Sequence, residues 1–329
     1  MTYENILEEL VAADDRVVVM TAENRAAIRN LPEKIGNRFI DVGICEMTMI
    51  GSAAGLATRG RIPVTHALST FLTLRAFEFV RTDVGIPGLP VKLIGGVPGF
   101  LSEANGPTHQ AVEDIALTRG IPNMTVFCPA DAADLEIGIR DMLLSDAPCY
   151  VRFNASEPAV EHNPEFEIGR AEVISEGTDI TLLTYGFMLR EVLKTKALLE
   201  KEGHSVRLLN LRSLKPIDTD AILRAALETS LLVTVEDHFL TGGLYSIIGE
   251  LFLRHQVSAS VIPFALDERW FKPALLNDVL EYEGFTGEQI AESVLAHPLY
   301  STLFGSAPAP GSRTFLYEKA VMEDRIISV

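Results

Sequence analysis

Two α/β domains with mostly parallel sheets are the fold this sequence predicts, and three observations carry that reading. At 329 residues the chain is longer than the roughly 150 residues that a single core usually supports. Short apolar segments such as IPVTHAL (Ile62–Leu68) and the run 149–153 lack polar alternation, as expected of strands buried on both faces. Helical periodicities of about 10–15 residues separate these segments, which is the pattern of parallel crossover units.

Taken in order, Ile6, Leu7, Leu10 and Val11 have helical spacing, and 17–20 is a short apolar strand after the Asp14-Asp15 break. Residues 39–42 end a second apolar segment, and Gly43 permits a sharp turn. Glu46 then opens a helix of small residues: Gly51, Ser52, Ala53, Ala54, Gly55 and Ala57. Each glycine there costs about 1 kcal/mol relative to alanine, which points to close approach by another backbone or a flat ligand. The spacing next predicts a strand over 62–68, an amphipathic helix over 70–84 capped by Thr70, and a strand over 91–94 ending in Gly95-Gly96. A helix over 109–119, a strand over 124–127, a helix over 132–144 and a strand over 149–153 complete the first domain.

Residues 154–168 contain two prolines, Pro158 and Pro164, and no periodicity, so the linker is placed there. The predicted domains are 1–160 and 161–305, followed by an extension over 306–329 that opens with GSAPAPGSR. In the second domain, strands are expected at 179–184, 205–210, 231–235 and 260–264, and helices at 188–202, 219–228, 243–255 and 287–296.

Composition narrows the function classes. A net charge of −17, spread over both halves, disfavours nucleic acid and anionic membranes as partners. No run approaches the roughly 18 apolar residues of a membrane span, and the acidic N-terminus MTYENILEEL does not read as a signal peptide, so a cytoplasmic protein is expected. The three cysteines have no metal-site or disulfide spacing, and Cys45 reads as a small filler rather than a reactive thiol.

Ligands of open parallel sheets gather at the carboxyl ends of strands. Four clusters fall there: 43–46, 66–77, 95–109 and 152–154. Alone, Glu46 would read as a residue complementing a helix dipole, and Phe71 and Phe77 as core. The segments IDVGICEMTMIGSAAGLA, STFLTLRAFE, NGPTHQAVEDIAL, IPNMTVFCPADAAD, LRSLKPID and VEDHFLTGG, in this order over roughly 15–300, resemble the transketolases. Specifically, they resemble the C-terminal half that some bacteria make as a separate subunit. The implied fold is a pyrimidine-binding domain followed by a transketolase C-terminal domain.

The resemblance implies thiamine diphosphate as cofactor. Glu46 would hydrogen-bond a ring nitrogen of its aminopyrimidine, favouring the imino tautomer whose nitrogen removes the thiazolium proton. Phe71 and Phe77 would face the pyrimidine, with Leu74 where an aromatic is often found, and Glu23 takes the place of an aspartate at the cofactor. His109, presented by the Gly106-Pro107 turn, would bind substrate oxygens and move protons, and Arg152 would grip an anionic substrate end. Asn105 stands where an aspartate reads substrate hydroxyls, Val97 where a histidine is common, and Ala27 where a serine is expected. Arg25 and Arg29 are the alternative cations. His66 is a further candidate ligand contact, and His238 receives no role.

The chain contains no GDG motif, the family's anchor for Mg²⁺ and the diphosphate. The resemblance therefore implies half an enzyme: metal ligands on an N-terminal partner subunit, two copies of each chain, and a sugar substrate at the interface. Two other readings stay open. One is the β subunit of a 2-oxo acid dehydrogenase decarboxylase, which passes its fragment to a lipoyl carrier; the other is a non-catalytic pair of domains that regulates a partner.

Overall fold

The computed structural model describes residues 2–305, so the 306–329 extension lies outside the described residues. The first sheet contains β1 (Val17–Thr21), β2 (Phe39–Asp41), β3 (Ile62–Leu68), β4 (Lys92–Gly96), β5 (Thr125–Phe127) and β6 (Cys149–Arg152). The second contains β7 (Glu172–Ser175), β8 (Ile180–Thr184), β9 (Val206–Asn210), β11 (Leu231–Phe239) and β12 (Val261–Leu266). Between β9 and β11 lies β10 (Ser213–Lys215), which crosses to the first sheet and pairs antiparallel with β5, Ser213 opposite Phe127. The sheet orders are β10-β5-β6-β4-β3-β1-β2 and β12-β11-β8-β9-β7, and among the described pairings only β10 with β5 and β7 with β9 are antiparallel.

Strands β1, β4, β6 and β8 are buried along their whole length because helices cover both faces of each sheet. One apolar cluster runs through both domains, from Met49, Leu93 and Ile115 to Leu183, Leu211 and Leu244. The predicted 70–84 helix forms, but with π-type turns over Phe71–Arg75 and Val80–Gly85 flanking a short α-helical piece. Such turns often mark functional sites. The 109–119 helix starts later, at Asp114, which leaves His109 on a loop.

Polar contacts also cross between domains. His162, in the linker, is buried with Nδ1 2.8 Å from Glu172 Oε2 and Nε2 2.9 Å from Asp131 Oδ2. Carboxylates only accept, so both ring nitrogens carry protons and the ring is an imidazolium. Burial alone would lower its pKa, but the hydrogen bonds to Asp131 and Glu172 outweigh burial and carry it up to about 10. Arg212 joins the cluster, 3.0 Å from Glu172 and 2.6 Å from Asp134. Asp134, His162 and Glu172 lie within ligating distance of one another, but a doubly protonated ring has no lone pair for a metal.

Because the folded pKa of His162 is raised, its stabilisation is fully present below about pH 6.5, the unfolded value, and is lost as pH rises through about 10. Urea midpoints are therefore expected to fall between pH 7 and pH 10 in the parent and to change much less in His162→Ala. That variant should itself lose about 3–5 kcal/mol at pH 7, since it leaves buried carboxylates short of a cation. Parallel pH profiles for the two proteins would overturn this account.

Candidate active site

In the first sheet the chain reverses direction of growth at β1, between β2 and β3, and such a switch point opens a crevice at the strands' carboxyl ends. Four connections converge there. Glu23 and Arg25 follow β1, Gly43 to Glu46 follow β2, Phe71 follows β3, and the loop with Asn105 and His109 follows β4.

Glu46 is the first residue of the helix Glu46–Ala57 and is 1% exposed. Its Oε2 accepts from Arg75 Nη1 at 3.0 Å, and the Arg75 guanidinium lies 4.0 Å from the centre of the Phe71 ring. The Phe71 ring in turn meets the His109 imidazole edge-on, with centroids 5.2 Å apart. Thr108 Oγ1 is 2.9 Å from His109 Nδ1. A planar, nitrogen-rich cation thus already makes two contacts at once, a hydrogen bond to the buried carboxylate and a stack on the aromatic face. An aminopyrimidine needs the same two contacts, so the donor set fits the pyrimidine end of thiamine diphosphate. Arg75 carries no signal in the sequence that sets it apart from a solvated arginine; it ends the π turn Phe71–Arg75, where it meets Glu46. Exposed Ile44, Met47 and Leu74 border this cluster along the chain.

The groove at the ends of β1 and β2 is lined by Glu23, Arg25, Asp41 and Gly43. Glu23 has φ +65°, an uncommon conformation for a residue with a side chain. Arg25 Nε donates to Asp41 Oδ2 at 2.8 Å, and the hydrogen bond to Arg25 helps hold the Asp41 carboxyl below its usual range even though burial opposes it. Asn105 is exposed, its amide donating to the Ser102 carbonyl at 2.8 Å. Val97, partly buried directly after β4, has φ +47°, a strained value for a β-branched side chain.

Three expectations need correction. Arg152 does not reach the crevice: it is 2% exposed, with Nε 3.0 Å from Asp114, Nη1 on Asp237 and Nη2 donating to the Asp237 carbonyl at 3.0 Å. Its donors are spent on buried partners, so it cannot grip an anionic substrate end. His66 is also sealed. Its Nδ1 faces the Met20 carbonyl at 3.1 Å and must donate, so Nε2 accepts from Tyr3 O–H at 2.8 Å. Burial lowers its pKa to about 4, and it stays neutral as a tie between the first helix and the sheet. Phe77 lines a groove with Arg81, Ile86 and Ile121 rather than the one with Glu23 and Arg25.

His238 is docked rather than free: Nδ1–H donates to the Phe239 carbonyl and Nε2 accepts from Ala116 N–H at 3.3 Å. Cys45 is partly buried, with its sulfur 2.8 Å from Thr48 Oγ1. Among the described residues no helix is long and apolar enough to cross a membrane.

Comparisons with known proteins fit this architecture. Residues 1–159 match the model of the transketolase pyrimidine binding domain, and 169–290 that of the transketolase C-terminal domain. The 6-deoxy-6-sulfo-D-fructose transketolase subunit SqwH of Clostridium sp. (strain MSTE9) is 39% identical over 254 residues, covering 76% of this chain and 79% of that protein. The 1-deoxy-D-xylulose-5-phosphate synthase of Symbiobacterium thermophilum is 34% identical over 296 residues, and the chain spans about half of it, 45%. The solved structure of a split gene transketolase, an inactive beta4 tetramer, superposes with a TM-score of 0.79 at 33% identity, covering 89% of this chain and 95% of that one. With both family domains present in order, and with these relatives, the chain belongs to the transketolase family and has the domain content of a split enzyme's C-terminal subunit, a thiamine-diphosphate-dependent ketol transferase.

Proposed function

We propose that this chain pairs with an N-terminal subunit carrying the GDG diphosphate and Mg²⁺ site, as two copies of each, and transfers a two-carbon ketol unit from a sulfonated ketose to an aldose. The observation that carries the substrate class is the 39% identity to a sulfofructose transketolase subunit. The pocket's chemistry supports it. A phosphate monoester carries a charge of about −1.5 to −2 near neutral pH, whereas a sulfonate carries one, so a site with fewer cations suits the sulfonate. With Arg152 sealed and Arg75 engaged by Glu46 and Phe71, Arg25 is the cation that lines the groove at the ends of β1 and β2. It is half exposed and spends two of its five donors on one oxygen of Asp41.

Thiamine diphosphate, when bound, supplies the thiazolium carbon that takes up the two-carbon unit. Glu46 would hydrogen-bond the pyrimidine and Phe71 would stack on it, which requires Arg75 to leave both positions. His109, oriented by Thr108, would take the proton from the donor's hydroxyl. Asn105, able to donate as well as accept, would read a neighbouring hydroxyl.

A donor panel on the two-subunit complex tests the reading. The specificity constant for 6-deoxy-6-sulfofructose is expected to exceed that for xylulose 5-phosphate by about a hundredfold, the weight of two charge-assisted hydrogen bonds. If xylulose 5-phosphate with ribose 5-phosphate is the best pair, the substrate assignment fails.

A further inference from the structure

The loop 97–112 leaves β4 and carries Asn105 and His109 to the crevice. Its ends are closed on each other by Gly99 N–H donating to the Ala111 carbonyl at 2.9 Å. The second domain grips that closure. Asp237 Oδ2 accepts from Phe100 N–H at 3.2 Å, and a Cβ added at Gly99, where φ is +54°, would fall inside the Asp237 carboxylate. Phe239 N–H donates to the Val112 carbonyl at 2.8 Å, and Gln110 Nε2 to the Phe271 carbonyl at 2.8 Å. Arg152 locks the grip by bridging Asp237 to Asp114 and approaching the Ala111 carbonyl at 3.5 Å.

This is a costly way to hold two domains together. A fully buried carboxylate needs a dedicated cation, and the shared apolar core already supplies adhesion. What the polar contacts add is direction, since two of them fix the backbone of Phe100 and Val112 at the base of the loop and a third ties the Gln110 side chain to the Phe271 carbonyl. We infer that Asp237, held by Arg152, is a positioning residue: through it the second domain sets where His109 and Asn105 stand relative to Glu46.

Hydrogen exchange on the full chain tests the inference without using activity, and kinetics of the two-subunit complex, which rest on the proposed ketol transfer, supply the second readout. Asp237→Asn removes the charge while keeping the shape. Gly99→Ala keeps the Asp237 charge but pushes the carboxylate, and the Arg152 guanidinium beside it, away from the loop, so it keeps the test open if Asp237→Asn fails to fold. In both, amides of 99–112 are expected to exchange about tenfold faster or more, while β3 and β8 stay at parent rates. The ketose KM should rise about tenfold or more, with thiazolium proton exchange, which depends on Glu46, within about twofold of the parent. Asp237→Glu, which keeps the charge, should restore part of the protection. Folded variants with parent loop exchange and parent KM overturn the inference, as does equal acceleration across both sheets, which would reduce Asp237 to a stabilising residue. A loosened loop in variants whose parent complex shows no ketol transfer supports the clamp and sinks the functional reading instead.

Discussion

Glu46→Gln is expected to slow thiazolium proton exchange in the two-subunit complex by roughly a hundredfold to ten-thousandfold, the range of a positioned acid–base group. The fold should survive. Glutamine keeps the length and an oxygen that can accept from Arg75, and Arg75 is 42% exposed, so water solvates the guanidinium once the opposing charge is gone. Unfolding midpoints should therefore shift by no more than about 1 kcal/mol in stability. Exchange as fast in the variant as in the parent would show that the buried carboxylate at the start of Glu46–Ala57 only complements a helix end. A drop in exchange together with global unfolding would leave the carboxylate's role to Glu46→Asp, which keeps the charge but shortens the reach and should lose exchange without losing the fold.

The second large effect is all-or-none. The purified chain is expected to fold, to bind thiamine diphosphate weakly or not at all with Mg²⁺ present, and to show ketol transfer only after addition of a chain carrying GDG. The physical reason is the division of contacts: Glu46, Phe71 and His109 can serve the pyrimidine and the substrate, whereas this chain has no GDG to anchor the diphosphate through a metal. Titration calorimetry decides it. Tight cofactor binding by the chain alone, comparable to that of the mixed subunits, would mean that the diphosphate anchor lies on this chain.

The predicted alternation of strands and helices corresponds to the two parallel sheets because burial on both faces writes itself into each strand as an uninterrupted apolar run. Elements without such a run were not legible. Strand β10 is three residues ended by Pro216, and β7, in the antiparallel pair, has an exposed Val173. Strand β11 runs four residues past the predicted Val235, through Glu236, Asp237 and His238, which interrupt the apolar run yet are buried in the fold.

The sequence by itself determined the fold class, the succession of elements, the family resemblance and the positions of Glu46, Phe71 and His109 at strand ends, since these depend on periodicity and on local motifs. Only the tertiary structure decided which charged groups face the crevice. Arg152 and Arg75 are both arginines beside motif residues, and nothing local distinguishes them. Arg152 is surrounded by Asp114 and Asp237, brought together from two domains, and spends its donors there. Arg75 ends the π turn Phe71–Arg75, where it meets Glu46 and lies on Phe71. Whether a guanidinium binds substrate, fills a ligand's place or clamps a loop is set by the groups that surround it in space, and groups 38 and 85 residues away along the chain leave no trace in the residues next to it.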